Sequence, residues 1–419
     1  MAFKKLWNHK LNEMNERRVV VTGTGIISAI GHNSLDFWNS LVECKSGIGP
    51  FNSVDPSLMR FKNGAEVKNF DANTLIGKSD LDLMDRFAQF SVVAAKEAVK
   101  QSGIIFNDEN AYRSAVICGT SIGGVHAQEQ TYIDLYRDNK SRVHPLSIPK
   151  TMPNGAASNV SMQMGITGPV YTISTACASS NHAIGNAFWL IRNGICDQAL
   201  AGGSETPFTY TFLKAWEAIR VVSPDTCRPF SKTRQGMILG EGSGMIVMET
   251  LENAKKRGAE ILAEIVGYGM SSDASHITKP DQKGAERAMK LAMEDAKINV
   301  EQVGYINAHG TGTLVNDTME VAAIRNVFGN HAEALPISST KSMHGHALGA
   351  TSSLEAVATI MALKDGILPP TANFEEADET CNIDVVANAS RSKSIKYALS
   401  NAFAFGGLNA VLAFKKWQE

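Results

Sequence analysis

One cysteine stands among small residues in "STACASSNHAIG" (174–185), where an extended run gives way to a helical one. A cysteine at the first turn of a helix meets unpaired backbone N–H groups, whose partial positive charge favours thiolate over thiol. Cys177 is therefore a candidate nucleophile, the alternative being a small buried core residue. His344 and His346 alternate in "MHGHA". On an extended segment both rings would share a face, as metal ligation requires. Further ligands are missing nearby and a metal-bound thiolate loses nucleophilicity, so no metal is expected and His344 is read as structural. His182 is read as a satisfied core histidine. "VVVTGTGIIS" (19–28) begins like a dinucleotide-binding turn, but Ser28 stands where the third glycine belongs and no clear acidic residue follows about 20 residues on. NAD binding is not expected.

The elements that must position these residues are legible as β-branched runs alternating with helical spacing. "RRVVVTGTGI" (17–26) and "SAVICGTSIGG" (114–124) read as strands, with "SVVAAKEAVKQSGI" (91–104) as a helix stopped by glycine. The order repeats later: "ILAEIVGYGM" (261–270) as strand, "AERAMKLAMEDAKI" (285–298) as helix, "VGYINAHGTGT" (303–313) as a strand running into a Gly-Thr turn. A shift of 164 residues lays "ISTACASSNHAIG" (173–185) on "ISSTKSMHGHALG" (337–349) without a gap, with five identities in thirteen, and puts Cys177 on Lys341. Each stretch leads into a helix ending at glycine, "RNGI" and "KDGI". An internal duplication of α/β units with mostly parallel buried strands is expected, with the two equivalent turns close together across a pseudo-twofold axis. The boundary is placed in "TLENAKKRGA" (250–259), giving halves 17–256, with Cys177, and 257–419, with the later histidines.

The 419 residues carry 44% hydrophobic and 20% charged side chains and a net charge of −2, the profile of a globular protein without a nucleic-acid footprint across its surface. Six cysteines lie scattered without C-x-x-C spacing, which suggests free thiols in a reducing cytoplasm. Residues 1–16 carry lysines but no apolar signal core, and no run of about 18 apolar residues occurs. They read as a terminal extension of a cytoplasmic protein.

Five motifs in order carry a resemblance over residues 17–417: "STACASSNHAIG", "RPFSKTRQGMILGEG" (228–242), "NAHGTGTLVNDTMEV" (307–321), "STKSMHGHALGATSSLE" (339–355) and "NAFAFGGLNA" (401–410). The sequence resembles the elongating, type II β-ketoacyl-(acyl carrier protein) synthases. The resemblance implies the thiolase-like fold, two duplicated halves in a five-layered α-β-α-β-α arrangement, and decarboxylative Claisen condensation without a cofactor. It implies Cys177 as the acyl-accepting nucleophile, with His309 and His346 stabilising the enolate. Lys341 and Glu355 would support the hydrogen-bond network and fix the protonation of His346. The backbone N–H groups of Cys177 and Phe405 would form an oxyanion hole, and Phe405, hinged by Gly406 and Gly407, would gate the passage between the acyl pocket and the malonyl entrance.

The implied partners are an acyl carrier protein and a second subunit, either an identical copy or a chain-length-factor-like paralogue. Basic candidates for carrier docking, taken as loop residues, are Arg220 first, then Lys214, Lys62, Lys68, Lys140 and Arg142. Ala402, Ala404, Leu408 and Met237 depart from common family residues, as does the lack of acidic residues in "SKTRQGMI". These changes resemble specialised nodulation-type or aryl-polyene branches. A non-catalytic chain-length subunit would lack Cys177. A thiolase would need a second cysteine near His346, and none follows in an appropriate motif.

Overall fold

A computed structural model describes residues 17–418; the expected terminal extension, residues 1–16, lies outside the described residues. The first half opens with β1 (Val19–Ser28), a strand buried along its whole length. The helix α1 (Arg86–Ser102) follows, capped by the Asp85 side chain at its start and by Gly103 in the left-handed region at its end. The glycines of "GTG" serve this packing and not a nucleotide. A Cβ on Gly23 would stand 2.1 Å from the Ala98 carbonyl oxygen, and one on Gly25 would stand 1.8 Å from that of Ala94, both on α1.

The chain continues through β2 (Ser114–Gly119), α2 (Gly155–Met164), β3 (Val170–Ile173), α3 (Ser179–Arg192), β4 (Gln198–Glu205), α4 (Tyr210–Ile219) and β5 (Gly242–Thr250). The second half repeats the plan as β6 (Ala263–Ser272), α5 (Gln282–Ala296), β7 (Val303–Asn307), α6 (Leu314–Phe328), β8 (Ile337–Ser338), α7 (Thr351–Asp365), β9 (Tyr397–Ala404) and β10 (Leu408–Lys416).

The ten strands form one sheet in the order β8-β7-β9-β10-β6-β1-β5-β4-β2-β3. Counted within each half, the order is the same, third-second-fourth-fifth-first, so the duplication read from the sequence is the symmetry of the fold. The halves join where β1 and β6 pair antiparallel through Val19–Ile265, Val20–Glu264 and Val21–Ala263. Parallel pairing is confined to β3-β2-β4 and β8-β7-β9. The fifth strand of each half runs antiparallel to the fourth and first, so the other four strands of each half run parallel to one another, as expected, and the fifth is the exception. In the second half a tight hairpin at Gly406 and Gly407 joins β9 to β10, and in the first half a longer connection through α4 joins β4 to β5.

Helices α1 and α2 cover the outside of the first half, and α5 and α6 the outside of the second. Between them α3 packs on β2 and β4 yet touches β6 and β10, while α7 packs on β5, β9 and β10. The result is five layers, α-β-α-β-α. The middle layer explains why α7 is buried all round, with thirteen consecutive buried residues from Thr351 to Leu363.

Candidate functional site

Cys177 sits on a sharp bend between β3 and α3. Ala176, just before it, takes φ +48°, a left-handed conformation that costs a non-glycine residue about 1 kcal/mol. The bend is held by the Ser179 hydroxyl, which accepts the Thr175 N–H at 2.9 Å and donates to the Ala176 carbonyl at 2.7 Å. The equivalent bend in the second half leads into one helical turn, Lys341–His344, before α7 begins. The two bends meet as the duplication requires: Ser180 Oγ donates to the Gly349 carbonyl and Ser352 Oγ to the Cys177 carbonyl.

His309 follows β7 in the Gly-Thr turn. Its backbone N–H donates to Glu320 Oε1 at 2.8 Å, the Gly310 N–H donates to Glu320 Oε2 at 2.7 Å, and its carbonyl accepts from Lys341 Nζ. His346 is fixed by a strand-like bridge to the "MILGEG" segment: its N–H donates to the Ile238 carbonyl at 2.7 Å and its carbonyl accepts the Gly240 N–H at 2.9 Å. Its Nδ1 accepts the Leu348 N–H at 3.0 Å and lies 2.9 Å from Thr351 Oγ1. A neutral His346 therefore carries its proton on Nε2.

Cys177 Sγ and one ring nitrogen each of His309 and His346 lie within 4.8 Å of one another. The imidazole centroids are 5.6 Å apart and nearly perpendicular. All three residues open onto a cavity of about 540 Å³ that Thr311, Thr313 and Phe405 also line. This trio is also the set of donors that could hold a soft cation. The H-x-H pair cannot, because His344 Nδ1 is taken by the Gly345 carbonyl and Nε2 by Thr340 Oγ1, and His344 closes a helical turn where extended backbone was expected. His182 is likewise held, by Thr175 Oγ1 and the Ala178 carbonyl.

Burial pushes the Cys177 thiol up to about 11, against the opposing pull of Lys341 and of the N–H groups of Phe405 and Cys177 itself. The thiolate expected from the helix terminus is thus not the resting form; desolvation outweighs the partial charge of the helix. The two N–H groups do face the sulfur, as an oxyanion pair would. Burial, and after it the Lys341 ammonium, holds His309 and His346 well below the ordinary imidazole value, so both are neutral at physiological pH. Lys341 and Glu355 form a fully buried ion pair at 2.5 Å. The Lys341 ammonium of that pair donates to the carbonyl of His309; on His346 it acts through its charge, while the ring's hydrogen bonds come from Leu348 and Thr351.

Phe405 stacks on Trp216 of α4, centroids 6.0 Å apart and planes 26° from parallel. Gly406 and Gly407, both in the left-handed region, follow it. Of the basic candidates, Arg220 lines the cavity. Lys214 lies on α4, not a loop, paired with Glu217 at 2.8 Å, and Lys140 pairs with Asp134 at 2.8 Å. Lys62, Lys68 and Arg142 are exposed and do not line the cavity.

Sequence reasoning missed Glu320, Glu205 and Trp216. Glu205 is fully buried and accepts from Thr120 Oγ1 and the N–H groups of Ser121 and Gly349, tying the two halves together beneath the cysteine. The signal was an acid inside an apolar helix ("TMEVAAI") or at the end of a buried strand ("AGGSET"), positions where a carboxylate persists only if backbone donors satisfy it.

Residues 16–254 match the family described as "Beta-ketoacyl synthase, N-terminal domain" and residues 262–375 the "Beta-ketoacyl synthase, C-terminal domain". The chain belongs to the beta-ketoacyl synthase family. The synthase is 47% identical over 401 residues to "Nodulation protein E" of Rhizobium sp. (strain N33), covering 96% of this chain and 100% of that one. It is 42% identical over 413 residues to "3-oxoacyl-[acyl-carrier-protein] synthase 2" of Synechocystis sp., covering 97% and 99%. Among solved structures, "The ishigamide ketosynthase/chain length factor" matches with TM-score 0.92 and 34% identity, over 96% of this chain and 100% of that one. No helix among the described residues is long and apolar enough to cross a membrane.

Proposed function

We propose that this synthase joins an acyl group held on Cys177 to a malonyl unit, both delivered by an acyl carrier protein, and lengthens the chain by two carbons. The observation that carries the reading is the approach of Cys177 Sγ and two neutral imidazoles at the floor of one cavity. In the first step the sulfur attacks the acyl thioester carbonyl. The thiol proton passes to a neutral imidazole and then to the departing carrier thiol, and the tetrahedral oxyanion meets the N–H groups of Cys177 and Phe405.

In the second step the malonyl thioester loses CO₂. The electron pair flows to the thioester oxygen, where N–H donors of His309 and His346 stabilise the enolate; being neutral, they donate without taking up a proton. The enolate carbon attacks acyl-Cys177, the new C–C bond forms, and the cysteine sulfur leaves. Lys341 acts by holding the His309 backbone, with Glu355 neutralising its charge in the interior.

The reading extends to partners and place. Arg220 at the cavity mouth is the leading docking candidate for an acidic carrier, and Lys214 and Lys140 are weakened by their ion pairs. A dimer of identical chains, or with a chain-length-factor-like paralogue, and a cytoplasmic setting complete the proposal. The relatives named for nodulation and for ishigamide favour a specialised acyl chain over a housekeeping one.

Half-reactions with labelled acyl and malonyl thioesters test the assignment, with products identified by mass spectrometry over a panel of acyl chains. Cys177→Ser should lower condensation at least about 10³-fold, because a hydroxyl is a far weaker acid and nucleophile than a thiol. His309→Ala and His346→Ala should each cost about 10²-fold or more in decarboxylation and less in acyl transfer. Near-normal elongation by the serine variant would end the nucleophile assignment, and equal losses in both steps would end the division of labour.

A further inference from the structure

Glu205 ends β4 fully buried, and the condensation steps above do not use it. Its partners are four donors, none of them cationic. Oε1 accepts Thr120 Oγ1 at 2.8 Å and the Ile122 N–H at 3.4 Å, and Oε2 accepts the N–H groups of Ser121 at 2.6 Å and Gly349 at 3.0 Å. Thr120 Oγ1 in turn accepts the Gly123 N–H at 3.1 Å, which leaves its own proton for the carboxylate. Burial raises the pKa of Glu205 and these donors oppose the rise. An acid kept in the interior without a counter-ion stands where donors of this kind fix its place.

Gly349 is where the carboxylate crosses between the halves. Thr120, Ser121 and Glu205 belong to the first half, whereas Gly349 lies in the second, between His346 and α7. A Cβ on Gly349 would stand 2.4 Å from the Ser121 nitrogen and 2.7 Å from Glu205 Oε2, so no side chain fits between them. Ser180 Oγ on α3 holds the Gly349 carbonyl as well. The residue before it, Leu348, takes φ +47°, a left-handed conformation that a leucine rarely adopts. Such strain persists only where the surroundings over-determine it, and the double hold on Gly349 does so. The Leu348 N–H is the donor to His346 Nδ1, at 3.0 Å, that leaves the proton of the neutral ring on Nε2.

We propose that Glu205 is a positioning residue for the condensation: by anchoring Gly349 to the first half it keeps the Leu348 N–H on His346 Nδ1, and so keeps the Nε2–H of His346 aimed at the enolate oxygen. The inference rests on the condensing reading. It makes reach, not charge, the property that matters at position 205, since one oxygen must span Ser121 and Gly349 together. Glu205→Gln retains that reach: its amide oxygen takes both backbone N–H groups and its NH₂ donates to Thr120 Oγ1. Glu205→Asp keeps the charge but is one methylene shorter, and so lets go of Ser121 or Gly349.

The test measures two half-reactions on one preparation of the full chain, CO₂ release from carboxyl-labelled malonyl carrier protein and transfer of a labelled acyl group to Cys177. The folded fraction then cancels in their ratio. Glu205→Asp should lower the ratio of decarboxylation to acyl transfer about tenfold or more, because a misaimed donor is lost to the developing charge. The loss should fall on kcat, with KM for the malonyl substrate within about twofold of wild type. Glu205→Gln should hold the ratio within about threefold of wild type. Ser180→Ala, which frees the Gly349 carbonyl from the other side, should move the ratio in the same direction as Glu205→Asp, and decides the matter if the aspartate variant does not fold. An unmoved ratio in Glu205→Asp, or in Ser180→Ala where the aspartate variant is unfolded, would overturn the positioning role, as would a drop in Glu205→Gln equal to that in Glu205→Asp. A wild-type chain that forms no C–C product would overturn the condensing reading instead; an unmoved ratio in a chain that condenses overturns the role of Glu205 alone.

Discussion

Cys177 lies between two opposed effects that no sequence motif can rank. The start of α3 and the Lys341 ammonium favour its thiolate, while burial favours the thiol and wins, pushing the group up to about 11. The turn itself was legible, because a lone cysteine among small residues at a strand-to-helix junction has few other uses. Its ionisation was not, since burial depends on the roof that the second half builds over it. The sign of the pH dependence follows. With the folded pKa far above neutrality, the thiolate fraction rises about tenfold for each pH unit from 7 to 9. Iodoacetamide alkylation of Cys177 in the free protein should climb with the same slope, measured by mass mapping against time. A rate already level at pH 7 would show that the helix terminus and Lys341 prevail and that the resting residue is a thiolate.

At the scale of elements, the gate we propose at Phe405 belongs to three segments that are remote in sequence. The β9–β10 turn supplies Phe405, α4 supplies Trp216, and the 273–281 segment holds the turn's backbone. Phe405 with its glycines was readable as a hinge from "FGG", and Glu355, Lys341 and both histidines from their motifs. Trp216 was not, because a tryptophan in "KAWEAIR" reads as ordinary helix core until packing brings it against the turn. An aromatic stack of this kind contributes about 0.5–1.5 kcal/mol beyond its buried area. Trp216→Ala should therefore raise the open fraction of the gate about two- to tenfold. The readout is malonyl decarboxylation in the absence of an acyl primer, which should increase, while Trp216→Phe keeps the stack and stays near wild type. Phe405→Ala should show the same loss of order together with reduced condensation. Uncoupled decarboxylation that does not move in a folded Trp216→Ala protein would reduce the stack to packing.

For the whole molecule, the question is whether two matched halves are two folding units. The repeat was visible in sequence, down to the 164-residue offset, because the same turn chemistry recurs at equivalent places; the antiparallel fifth strands were not visible, because a buried β-branched run looks alike in either direction. The boundary we place at 256/257 divides the chain at a surface helix, Leu251–Lys256, but not the core. Asn181 on α3 donates its side-chain amide to the Ser400 and Ala410 carbonyls of β9 and β10, and its backbone N–H to Ser352 on α7. Ile184 and Ile191 of α3 and Leu354, Val357 and Ile360 of α7 share one apolar cluster with Ile246 of β5 and Leu412 of β10. At about 2 kcal/mol for each such side chain returned to water, those five alone amount to roughly 10 kcal/mol. That is comparable with the entire stability of a typical domain, about 5–15 kcal/mol. Neither half should hold its fold alone. The intact chain should unfold in one calorimetric transition whose measured enthalpy equals the van't Hoff value. Fragments 17–256 and 257–419 expressed separately should show no cooperative transition, and should recover one when refolded together. Two resolved transitions in the intact chain, or a fragment that melts cooperatively by itself, would show that the central helices are packed after each half has folded and not as the condition for it.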